Sequence, residues 1–143
     1  MGTPKNKHAR RYYRVAKQRL AEAGLILEKL ALPAAVEYLS GYAVECVLKA
    51  LLIVLVPESE RPDDWERIVE WIKKDFGHDL RDLRDEVQRR GLRLPKSESD
   101  SLKFVIENWK PESRYVPGLG EMAHARKFVA AVHKVVQWAD RSI

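Results

Sequence analysis

AAVEYLSGYAVECVLKALLIVLV, residues 34–56, is apolar almost all the way round, yet Glu45 and Lys49 stand four positions apart near its middle. A helix apolar on every face belongs at the centre of a bundle or in a membrane. The longest charge-free apolar run after Lys49 is Ala50–Val56. That is far short of the roughly 20 residues a spanning helix needs. The expectation is therefore a buried bundle helix, with no transmembrane span and no membrane partner, and every other segment has to be placed against it.

On the N-terminal side, Val15, Leu20, Ala23, Leu27 and Leu30 recur at three- to five-residue steps, which predicts a first helix over about 7–30 with a basic opposite face. Pro33 breaks it and suits the first turn of the central helix. On the C-terminal side, Pro57 and Pro62 close the central stretch. Asp63 or Asp64 caps a third helix to about 75, with Trp65, Ile68, Val69 and Ile72 facing inward. Gly77 reads as a C-cap glycine and Asp79 as the cap of a fourth helix bearing Leu80, Leu83 and Val87, which ends at Gly91. Ser97 or Ser99 caps a short fifth helix with Leu102, Val105 and Ile106. Residues 109–120, WKPESRYVPGLG, are the one real loop, and the last helix spans about 121–142 with Met122, Ala125, Val129, Val132 and Val136 on its apolar face. No stretch alternates like a strand. The fold class is all-α, an up-and-down antiparallel helical bundle.

At 143 residues with 45% apolar content the chain is one domain, 1–143, able to bury a single core. A single cysteine, Cys46, has no internal partner and fits a reducing, cytoplasmic setting; its apolar neighbours make it a core residue rather than a nucleophile. The N-terminal MGTPKNKHARRYYR has basic residues but no following apolar run, so no secretory signal is expected. Net charge is +5, and the excess is concentrated in the basic segment 1–19. Lys5, Lys7, Arg10, Arg11, Arg14, Lys17 and Arg19 fall there with His8 and no acid. Such a block attracts polyanions, with Tyr12 and Tyr13 placed to stack on bases. It equally describes the solvated face of a first helix.

Several chemistries lack their motifs. There is no phosphate-binding GxxxxGK or GxGxxG, and no GxSxG elbow. One Cys and four scattered His (His8, His78, His124, His133) are not a zinc set, so neither a metal nor a cofactor is expected. Two constellations remain. Glu45 and Lys49 pair at i,i+4, which is worth little when exposed and demands good partners when buried; they sit either at a rim or interface, or in a functional cleft. Arg126 and His133, seven apart on the last helix, lie on nearly one face along the edge of its apolar stripe. They are two solvated helix-edge residues or the working pair of a site.

AVEYLSGYAVECVLKALL (35–52), GHDL (77–80), and Trp109 followed by RYVPG (114–118) together resemble the prokaryotic HEPN domain proteins, across roughly residues 10–140. The resemblance implies a small cytoplasmic helical bundle, homodimeric, with Glu45, Lys49, Arg114 and Tyr115 as signature residues of a polar or binding cluster. Within that family the implied functions divide. Some members resemble metal-independent ribonucleases of toxin–antitoxin and defence systems, marked by an Arg and a His with four to six residues between them. Arg126-KFVAAV-His133 is the segment that fits. His133 would then serve as general acid/base on a ribose 2′-hydroxyl and Arg126 would stabilise the phosphorane, two such pairs meeting in a dimer's basic cleft. Other members resemble non-catalytic modules that pair with a minimal nucleotidyltransferase antitoxin. Lys127 stands where active members carry a small polar residue, which favours the non-catalytic module. For such a module the nucleic-acid-binding candidates are Arg10, Arg11, Arg14 and Lys17, and RNA is the expected polyanion.

Overall fold

A computed structural model of the chain describes residues 3–109 and 120–143, and among these residues it is all-helical. The helices are α1 (Lys7–Leu25, extended by a π turn over Ile26–Leu30), α2 (Pro33–Leu55), α3 (Trp65–Asp75), α4 (Leu80–Arg89), α5 (Lys96–Asn108) and α6 (Met122–Ser142). A 3₁₀ turn, Glu58–Glu60, follows α2. The arrangement is a helical bundle: α1, α4 and α6 pack on α2, and α5 packs on α6.

α2 is the centre, as its composition dictates. Pro33 occupies its first turn, where a missing N–H costs nothing. From Ala43 to Ile53 every residue is buried. Leu48, Leu51 and Leu52 are fully buried there, together with Phe128 and Val132 of α6, Leu83 of α4 and Leu102 of α5. Each buried leucine contributes about 1.5–3 kcal/mol through removal from water. By length and composition α2 also meets the requirements of a membrane-crossing helix, with mean hydropathy 1.7 over a window that is 72% buried in the bundle. Counting only charge-free runs understates the whole helix, because Glu45 and Lys49 answer each other within one turn. Arg61 caps the helix end by donating to the carbonyls of Ile53 and Val56.

Local signals set most of the boundaries. Asn6 caps α1 by accepting from the His8 and Ala9 amides. Asp64 caps α3 and Asp79 caps α4 in the same manner. Three expectations need correction. First, α1 buries His8, Ala9, Tyr13, Ala16, Leu20 and Ala23, a stripe in which alanine recurs every seven residues, whereas Leu30 is 62% exposed. The π turn inserts extra residue per turn and rotates Leu30 out of the stripe; it ends at Ala31, whose φ of 50° is left-handed. Second, Tyr13 is buried and Tyr12 half-buried against Trp65, so neither ring is presented for base stacking. Third, α5 begins at Lys96 after Pro95, and Ser97 and Ser99 lie inside it rather than at its cap. On α3, Ile68 and Ile72 are buried while Trp65 and Val69 are half-buried. On α6 the apolar face is wider than its valines suggested, and includes Phe128, Val135, Trp138 and Ala139.

Candidate functional site

The signature pieces separated in sequence meet in space at two places. The first surrounds Glu45 and Lys49, both buried in α2. Lys49 Nζ donates to Glu45 Oε2 at 2.9 Å and lies 3.1 Å from Nδ1 of His78, the histidine of the GHDL segment between α3 and α4. The same His78 nitrogen lies 3.9 Å from Glu45 Oε2, so the imidazole edge stands beside both members of the pair. The Tyr12 ring closes the inner side, 5.7 Å from Lys49 Nζ. Burial pushes the Tyr12 phenol up to about 12, with Cys46, Tyr42 and Glu45 adding to it. The Cys46 thiol is likewise pushed up to about 12, by burial first and then by Glu45. The pair thus sits at the rim of the core with one half-open side, occupied by the exposed His78.

The second meeting is between Gly41 and Trp109. A Cβ on Gly41 would stand 2.2 Å from Trp109 Cδ1, so glycine is what admits the indole onto α2. The Trp109 Nε1–H then donates to the Tyr38 carbonyl at 3.2 Å. Arg114 and Tyr115, and most of the loop 109–120, lie outside the described residues.

α6 holds the other candidates. Its exposed positions are Ala123, Arg126, Lys127, Ala130, His133, Lys134, Gln137 and Arg141, which at 100° per residue cover an arc of about 120°. No carboxylate falls on that face. The one acid within the helix, Asp140, turns to α1, where it pairs with Lys17 at 2.8 Å. Arg126 and His133 are both exposed and hydrogen-bond to no other described residue. Lys127 lies over the Phe104 ring, Lys134 donates to Ser97 Oγ at 2.6 Å, and Arg141 meets Glu98 at 3.2 Å. Between α5 and α6 runs a groove of about 340 Å³ lined by Asp100, Ser101, Phe104, Lys127, Ala130 and Lys134.

The N-terminal basic segment is spent differently. Arg10 donates to the carbonyls of Pro4 and Lys5, fastening the chain ahead of α1. Lys17 is held by Asp140, and burial at that seam works against both charges, lowering the lysine and raising the aspartate. Arg11 stacks its guanidinium 4.0 Å from the Trp65 ring centroid. Arg14 is exposed and makes no hydrogen bond or ion pair with the described residues. Of the four, Arg11 and Arg14 remain turned to solvent. His8 is buried, with Nε2 2.7 Å from the Asp63 carbonyl.

Sequence reading missed His124, the third residue of α6. Its Nδ1 meets Glu37 of α2 and its Nε2 lies 3.2 Å from Asn108 Oδ1 of α5. No local signal marks it, because its partners stand 87 and 16 residues away. Among the described residues no group of three or more His, Cys, Asp or Glu is arranged to hold a metal ion. No family model, curated protein or solved structure matches the chain.

Proposed function

We propose that this chain is a HEPN-type helical module of a toxin–antitoxin or defence system that binds nucleic acid, or a nucleotidyltransferase partner, without catalysing a reaction itself. The observation that carries the reading is the outer face of α6. Arg126, Lys127, His133 and Lys134 share one exposed arc with no acid of α6 among them, which is the charge pattern that recruits phosphates, while Arg141 at the far end of the arc is paired with Glu98 of α5. Arg11 and Arg14 extend the positive surface on α1. A dimer, as the resemblance implies, would double the basic area available to one polyanion.

The second reading is a metal-independent endoribonuclease using Arg126 and His133. Its support is the exposure of both side chains, seven positions apart on one helix. Against it, an acid/base histidine is ordinarily oriented by a hydrogen bond to its second nitrogen, and none of the described residues supplies one to His133. Lys127 also departs from the small polar residue of active members. Incubation of single-stranded RNA with the purified protein in EDTA separates the two. A binding module leaves the RNA intact while shifting its mobility. Cleavage in EDTA that disappears in His133→Ala establishes the enzyme instead.

A further inference from the structure

We propose that His124 is a proton-operated clasp that fixes the start of α6 against α2 and α5. It regulates the basic face described above, and in that respect rests on the reading of that face as the binding surface. The inference begins from proton counting. Both ring nitrogens of His124 face oxygen acceptors: Nδ1 meets a carboxylate oxygen of Glu37, and Nε2 lies 3.2 Å from the amide oxygen of Asn108. The Asn108 amide is not free to turn over. Its Nδ2 donates to the Phe104 carbonyl at 2.8 Å, and reversal would set oxygen against oxygen there. A neutral imidazole has one N–H and one lone pair, so it satisfies one of these contacts and opposes the other. The imidazolium satisfies both.

The clasp is therefore complete with two protons on the ring. Loss of one to solvent leaves a lone pair facing either Glu37 or Asn108. Among the described residues, the surroundings are these. α2 contributes the Glu37 carboxylate. α5 contributes no charged group to the contact, only Asn108 and the Phe104 ring, 5.7 Å away. On α6 itself Lys127 sits over the same Phe104 ring, 4.8 Å from its centroid, and Glu121 is the exposed N-cap. A cation at the N-terminal turn of a helix works against the helix dipole, so the Glu37 carboxylate is what makes the charged form tenable there. Arg126 and Lys127 follow within one turn. Opening the clasp would loosen the segment that places them, and Lys127 shares the Phe104 ring with His124.

The test is amide hydrogen exchange of the full chain between about pH 5.5 and about pH 8.5, the span over which histidines ordinarily change charge, corrected for intrinsic exchange. Protection of the first hydrogen-bonded amides of α6, residues 125–128, should fall about tenfold relative to residues 132–140 as the pH rises. In His124→Gln that relative change should vanish, and in Glu37→Gln it should shrink; the second variant keeps the test decisive if the first folds poorly. Protection that is independent of pH in the wild-type chain overturns the clasp, as does a pH dependence that survives in both variants. RNA affinity measured on the same samples tests the other reading separately. A clasp signature accompanied by no RNA binding at either pH leaves the clasp standing and removes the binding role of the face.

Discussion

Gly41 and Cys46 lie five positions apart in α2 and make opposite demands on their surroundings. Gly41 is a glycine because Trp109 occupies the space its side chain would take. Gly41→Ala should destabilise the fold by about 1–3 kcal/mol, the usual cost of forcing atoms into a packed core, read as a lower urea midpoint. Gly24 on α1 has no atom within 4 Å of a built Cβ. There Gly24→Ala should raise the midpoint, by about 0.5–1 kcal/mol of helix propensity. Cys46 is set by burial. Its thiol is pushed up to about 12 from an ordinary 9.0, and Tyr12 up to about 12 from 10.0. A thiol reagent at about pH 8 should therefore leave the native protein unlabelled and label it fully in denaturant. Both groups keep their protons more tightly in the fold than in the unfolded chain. The stability they contribute is complete below about pH 9 and is lost as the pH rises toward 12. That Cys46 is a core residue was legible from its apolar neighbours. That Gly41 answers to Trp109 was not, because 68 positions separate them, although both fall within the motifs that suggested the family.

At the scale of elements, α2 could be read directly from its composition, and Asp64 and Asp79 marked the starts of α3 and α4 because capping is a short-range interaction. The π turn after α1 could not be read, since nothing in Ile26–Leu30 marks it against an ordinary helical turn, and none of its residues is buried. The same limit explains why Leu30 was placed inside when it is exposed. The Glu45–Lys49 pair shows both sides. Its i,i+4 spacing on one helix is visible in sequence, while its third member, His78, arrives from the α3–α4 connection. Removing one partner of a buried pair strands the other charge. Lys49→Met should thus cost about 3–5 kcal/mol, and the double variant Glu45→Leu/Lys49→Met should recover much of that loss. A double variant as unstable as the sum of its single changes would mean that the pair is not coupled in the fold.

For the whole molecule, the helical bundle followed from apolar periodicity, while the distribution of charge followed only from the fold. The sequence concentrates basic residues at 5–19, yet Arg10 and Lys17 are engaged within the structure and Tyr13 is buried. The clear basic surface lies instead on α6, where the lone acid, Asp140, turns inward to Lys17 and leaves the outer arc without a carboxylate of its own, Glu98 of α5 meeting Arg141 at its end. Arg126 and His133 are brought onto that arc as their spacing foretold, and neighbours such as Lys127 and Lys134 make it a surface rather than an isolated pair. The direct measurement is the affinity for single-stranded RNA in EDTA across a salt series, for the wild-type chain and for an Arg126→Gln/Lys127→Gln/Lys134→Gln variant. Phosphate contacts release counterions, so log affinity should fall linearly with log salt at a slope of about −0.7 per contact, and the variant should bind more weakly with a shallower slope. A wild-type affinity that ignores salt, or a variant that binds as the wild type does, would contradict the α6 face as the nucleic-acid surface.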